Sequence, residues 1–161
     1  MVRIGKLTIG RIDMEGGQFT YGNRIALGEI FSDTSKDAYR KLKDAFRELY
    51  GYSPTLLPIK CRVKALDAIL DGFKEWIEKE KDMLAYKPTA DEEKAGIREL
   101  TQKVGSLATI DALAEKYGKD PDDILKWDYA KVFGILFTDL EKHKYHRRFD
   151  AVINAKYSRH N

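Results

Sequence analysis

A few groups of residues in this 161-residue chain have types and spacings that could do chemistry. His143 and His146 lie three apart with Glu141 just ahead of them, so a helix would bring both imidazoles to one side, the beginning of a metal site. No third strong ligand is spaced to complete it, and Lys142, Lys144, Arg147 and Arg148 around it repel a cation. Solvated histidines, with no metal and no cofactor, are therefore the expectation. Cys61 is the lone thiol; it becomes a nucleophile only where a histidine approaches in space, and a buried structural cysteine is far commoner. Paired carboxylates occur at Glu92-Glu93 and Asp122-Asp123. Adjacent positions on a helix point to different faces, so neither pair makes an acid/base dyad. The sequence contains no phosphate-cradling glycine loop, no dinucleotide fingerprint and no nucleophile elbow. These residues lead us to expect a binding protein rather than an enzyme.

Two stretches bear on nucleic acid. Lys142 to Arg148, with Tyr145 and Phe149 interleaved, could touch phosphates. Tyr145 and Phe149 are four apart, a spacing more at home in a core or a protein interface. Ile110 to Leu125 has the outline of two short helices around a glycine turn. A DNA reader needs cations and amides at the start of its second helix, where this chain carries Asp120, Asp122 and Asp123. That segment would meet phosphates with the wrong sign. A nucleic-acid-binding regulator using the basic C-terminal helix therefore stands as the alternative to a protein partner.

The elements that position these residues follow from composition and periodicity. Hydrophobic residues make up 43% and charged residues 34%, a globular balance with a size sufficient for a core. The net charge of +3 exerts no strong pull toward nucleic acid or membrane. The charge is unevenly spread: residues 88–125 carry nine carboxylates against five cations, and residues 141–161 carry six cations against two carboxylates. These patches could meet within one fold or between subunits of a homo-oligomer. A single cysteine rules out an intrachain disulfide and suits a reducing cytoplasm. No apolar run is long enough to span a bilayer, and the N-terminus lacks a signal peptide's apolar segment.

Together these features predict one domain over residues 1–161, a mainly α multi-helix bundle with a small N-terminal β-hairpin. The hairpin is expected over Met1 to Tyr21, its arms separated at Gly16-Gly17. Residues 22–86 read as helical: a short helix capped by Asn23, a second from Ser35 to Tyr50 ended by Gly51, and a long one from Arg62 to Tyr86 with Val63, Leu66, Ile69 and Phe73 on its buried face. Residues 89–161 read as a helical C-terminal part. An acidic helix starts at Thr89 or Asp91 and closes at Gly105-Ser106. A helix holding Ile110, Leu113, Ala114 and Tyr117 ends at Gly118. Asp120 and Pro121 open a short helix, and Asp128 caps a long one beginning near Tyr129. Along that helix Tyr129, Val132, Phe133, Leu136, Phe137 and Leu140 form a stripe, which resumes at Tyr145, Phe149, Val152 and Ile153.

The run from Leu113 to Gly118, then Pro121 to Trp127, then Phe133 through Arg147, Arg148 and Phe149, resembles the tail assembly chaperones of long-tailed bacteriophages and related prophages. Those short proteins share a helix ending in a Tyr-Gly-like turn, a Pro-Asp cap leading to an aromatic, and a long closing helix with an Arg-Arg-Phe-like position. The resemblance lies in the C-terminal third alone. It implies a non-enzymatic chaperone in the host cytoplasm that binds a helix-rich tape measure protein while tube subunits polymerise around it. On this reading the contact residues are Trp127, Tyr129, Phe133 and Phe137, with Arg147 and Arg148 as a basic face.

Overall fold

Most helices begin where a side chain can take over backbone amides that have no partner of their own, whereas the helices that follow Pro58 and Gly96 start without a side-chain cap. The computed structural model describes residues 19–157, together with the backbone of two short antiparallel strands, β1 (Val2–Ile4) and β2 (Leu7–Ile9). Thr20 starts α1 (Tyr21–Ser32): its hydroxyl accepts from the Asn23 amide at 3.2 Å while the Asn23 side chain accepts from the Thr20 amide at 3.1 Å. Asp37 caps α2 (Ala38–Tyr50), and a 3-10 turn (Pro54–Leu56) leads to α3 (Ile59–Met83). Thr89 and Glu92 form a second reciprocal cap on α4 (Ala90–Lys94). After α5 (Ile97–Tyr117), Asp120 caps α6 (Pro121–Leu125), and the Asp128 carboxylate accepts from the Ala130 amide at 2.8 Å to start α7 (Tyr129–Tyr157). The protein is mainly helical, with these seven α-helices among the described residues.

Two glycines mark where the chain changes direction. Gly118, at φ 58°, ends α5 in the left-handed conformation expected of it. Gly105, at φ 49° and ψ −131°, breaks α5 internally. The sequence predicts a helix end at this glycine, and the helix does break there; a second helical stretch follows directly and runs on to Tyr117. Space around a Cβ at residue 118 is open, so Gly118→Ala meets only backbone strain. A loss of about 1 kcal/mol is expected on urea unfolding, with the slope of the transition unchanged.

The core gathers one face each of α1, α2, α3, α5, α6 and α7. Leu27, Phe46, Ile69, Leu113, Ile124 and Val132 are buried within it. The chain entering α1 is locked to the chain entering α7: the Tyr21 amide donates to the Trp127 carbonyl and the Tyr129 amide to the Phe19 carbonyl, both at 2.9 Å. This pairing of Thr20 with Asp128 replaces the second hairpin arm expected at Gln18 to Tyr21, since Tyr21 is helical. The expected first arm is itself split, Val2–Ile4 pairing with Leu7–Ile9, and the Gly16-Gly17 turn lies outside the described residues. Three helix starts also shift. The second helix, α2, begins at Ala38, behind its Asp37 cap, rather than at Ser35. Asn23 supports the α1 cap from inside the helix because Thr20 offers the better hydroxyl. The long helix begins at Ile59 rather than Arg62, and Arg62 turns back to bond the carbonyls of Pro54, Thr55 and Leu57. Val63, expected on its buried face, is exposed.

Candidate functional site

The N-terminal half of α7 is committed to the core. Tyr129 is 2% exposed; it stacks on Tyr21 at 6.1 Å and meets Phe19 and Trp76 edge-on. Its hydroxyl donates to Glu80 of α3, which also accepts from Nε and Nη2 of Arg24 on α1 at 2.5 Å each. One carboxylate thus joins three helices. Burial first, and the Glu80 hydrogen bond second, push the Tyr129 phenol above the ordinary tyrosine range. Phe133, 7% exposed, packs against Trp76 with its rings 5.5 Å apart, and Lys79 lies over the Trp76 ring at 4.9 Å.

The C-terminal half is built the other way round. Tyr145 lies sixteen residues beyond Tyr129, and at 3.6 residues per turn that rotates it about 160° around the helix. Phe149 and Val152 fall on the same side as Tyr145, at i+4 and i+7. The three are 55%, 50% and 54% exposed. The residues facing the core side here are polar. His143 sits against the Tyr86 ring at 5.8 Å, and an Arg147 guanidinium nitrogen donates to the Lys87 carbonyl at 3.3 Å. The apolar stripe has changed sides of the helix, so the core that covers its first half cannot cover its second.

A clasp beneath this half orders the approach to α4. The Tyr86 hydroxyl donates to Glu92, whose other oxygen accepts from the Thr89 amide at 2.6 Å. The Thr89 amide first, then Tyr86, the Thr89 hydroxyl and nearby Arg147 hold the Glu92 carboxyl down at about 2. Glu92 releases its proton more readily in the fold than in the unfolded chain. Its contribution is therefore complete above the free-glutamate pKa of about 4.3 and is lost as pH falls toward 2. Carboxyl-detected NMR is expected to place its midpoint near 2, with the Tyr86 ring signals moving over the same interval.

The residues singled out as contacts separate on this geometry. Tyr129 and Phe133 are core residues, and their placement as partner contacts is corrected: their faces are consumed by Tyr21, Phe19 and Trp76. Trp127 is half-buried between Tyr117, edge-on at 5.2 Å, and the Lys131 ammonium 3.7 Å above its ring. Phe137 is half-buried. Arg147 and Arg148 are both exposed but point to different sides of the helix, Arg147 toward the core side. The stripe of Tyr145, Phe149 and Val152 is the feature that reading α7 as one continuous face missed. The sixteen-residue offset from Tyr129 was the signal that carried it.

The other groups are accounted for locally. The Tyr145 ring lies 5.5 Å from that of His146, and Cys61 is half-buried against the core. Among the described residues, no group of three or more His, Cys, Asp or Glu side chains is disposed to hold a metal, and no helix is long and apolar enough to cross a membrane. Comparison with family models finds no match, and comparisons with curated proteins and solved structures find none either.

Proposed function

We propose that this chain is a non-enzymatic tail assembly chaperone of a phage or prophage, binding a helix-rich tape measure protein in the host cytoplasm. The observation that carries the reading is the exposed stripe of Tyr145, Phe149 and Val152, turned away from the protein's own core. Apolar anchors at i, i+4 and i+7 are what one helix offers another in groove or bundle recognition. An amphipathic ruler protein would otherwise aggregate through its apolar faces before assembly, and covering such a face requires a complementary one. On this proposal the contacts shift along α7, from Tyr129 and Phe133 to Tyr145, Phe149 and Val152, with Arg148 beside them.

Co-expression with a phage tape measure protein tests it. The two are expected to co-purify, and Phe149→Asp is expected to abolish the complex while leaving the helical circular dichroism unchanged. A soluble tape measure protein that ignores the chain would sink the reading.

The second reading, a nucleic-acid-binding regulator, draws on Lys142, Arg148 and Lys156, which have no ion pair among the described residues. It predicts a gel shift with DNA or RNA at low salt whose affinity falls steeply as salt is raised. Absence of binding at low salt removes it.

A further inference from the structure

We propose that the stripe on the C-terminal half of α7 selects an acidic amphipathic helix as its ligand. This rests on the protein-binding reading above and adds the chemistry of the partner segment.

The charge around the stripe is mostly cationic, with Glu141 as the one carboxylate on its side of the helix. Lys142 and Arg148 flank Tyr145, Phe149 and Val152, within about 70° of the stripe's centre on a helical projection, and Lys156 continues the stripe one turn beyond Val152. The carboxylates nearby are spent or turned away. Glu141 is held by Lys144 at 2.8 Å, and Asp150 lies on the far side of the helix from the stripe. Next to the stripe, an open hollow of about 370 Å³ is lined by Lys144, Arg147, Arg148 and Ala151. A carboxylate reaching over the edge of the stripe would meet Arg147 and Arg148, with Lys144 shared with Glu141.

The same geometry weighs against other occupants. A second copy packed antiparallel on this stripe about Phe149 would set Lys142 against Lys156, cation on cation. A single-stranded nucleic acid needs open aromatic faces, whereas Tyr145 and Phe149 stack on each other at 6.2 Å and Val152 has no π-face. A helix with an apolar seam and flanking Asp or Glu satisfies both the stripe and its cations. From Lys142 to Lys156 the three cations span about 21 Å of helix axis, so the partner segment needs roughly four turns.

The test uses the full chain and fluorescence anisotropy with labelled peptides of about twenty residues. Their leucines follow the i, i+3, i+4, i+7 pattern, flanked by Glu in one peptide, Gln in the second and Lys in the third. A single-stranded oligothymidine is the fourth probe. The Glu peptide is expected to bind roughly tenfold more tightly than the Gln peptide, with the preference shrinking as salt rises. The Lys peptide is expected not to bind. The triple variant Lys142→Glu, Arg148→Glu, Lys156→Glu is expected to reverse the order, favouring the Lys peptide, with an unchanged thermal melt.

Equal binding of all three peptides overturns acidic selectivity but leaves a protein-binding stripe in place. Failure of every peptide, while the tape measure protein still co-purifies, overturns this site and spares the chaperone. Binding of the oligothymidine alone overturns both. Concentration-dependent self-association by light scattering, abolished by Phe149→Asp, would name a second copy as the occupant and overturn the proposal.

Discussion

Phe133→Ala is expected to lower the unfolding free energy by about 3–4 kcal/mol, while Phe149→Ala, on the same helix, changes it by less than about 0.5 kcal/mol. Phe133 is buried at the junction of α3 and α7, edge-on to Trp76 at 5.5 Å and to Tyr129 at 6.3 Å. Its removal leaves a cavity whose walls are large rings, and rings collapse poorly into a void. Phe149 loses only its contact with Tyr145 and an exposed surface. Urea unfolding followed by helical circular dichroism measures both. Binding measured on the same two variants should show the opposite order. A Phe149→Ala protein that unfolds as readily as Phe133→Ala would mean that the outer stripe belongs to the protein's own core, and the docking surface would be lost with it.

Glu80→Ala is expected to cost about 3 kcal/mol, at the lower end for a buried ion pair because the Arg24 and Glu80 side chains remain 21% and 15% exposed. The substitution leaves the Arg24 guanidinium without its bidentate partner and the buried Tyr129 hydroxyl without its acceptor. The double variant Arg24→Leu, Glu80→Leu is expected to recover only part of the loss, because no charge is left stranded between the helices but the Tyr129 hydroxyl still lacks its acceptor. Burial raises the phenol of Tyr129, and those of Tyr21 and Tyr50 with it. These tyrosines ionise more easily in the unfolded chain. Their contribution is therefore complete below the free-tyrosine pKa of about 10 and declines as pH rises beyond it. Tyrosinate absorbance from Tyr129 is expected to appear together with the loss of helical signal on alkaline titration. Ionisation of Tyr129 with the helix content intact would mean that the Glu80 junction is open to solvent.

The two variants address the two halves of one helix, and the contrast between those halves carries the functional reading. Had α7 kept one apolar face along its length, its C-terminal turns would have continued the core or dangled as solvated helix. Instead, polar groups such as His143 and Arg147 hold the core side against Tyr86 and Lys87, and the aromatic side is turned outward. The chain thereby gains a presented face without exposing its own interior.

Much of the local structure could be read directly. Asp120 before Pro121, Asp128 before Tyr129, Gly51 and Gly118 all act where residue type alone places them, because caps and left-handed turns are settled by dihedral preference and hydrogen bonds within a few residues. The buried positions Leu66, Ile69, Phe73, Ile110 and Leu113 likewise follow from helical spacing. The acidic run of residues 88–125 and the basic tail were visible as composition.

Contacts between distant parts of the chain were not. Glu80 lies 56 residues from Arg24 and 49 from Tyr129, and nothing local distinguishes it from the surface carboxylates of the same helix. The pairing of Thr20 with Asp128 turned an expected strand arm into a helix cap. For α7, periodicity gave the apolar positions, but reading them as one stripe that resumes hid the offset that sixteen residues put between Tyr129 and Tyr145. Which stripe is covered depends on what α1 and α3 bring against it. Burial is decided by the whole fold, because an apolar side chain gains only when another surface excludes water from it. Tyr129 and Phe133 found that surface within this chain, whereas Tyr145, Phe149 and Val152 did not and remain half-exposed.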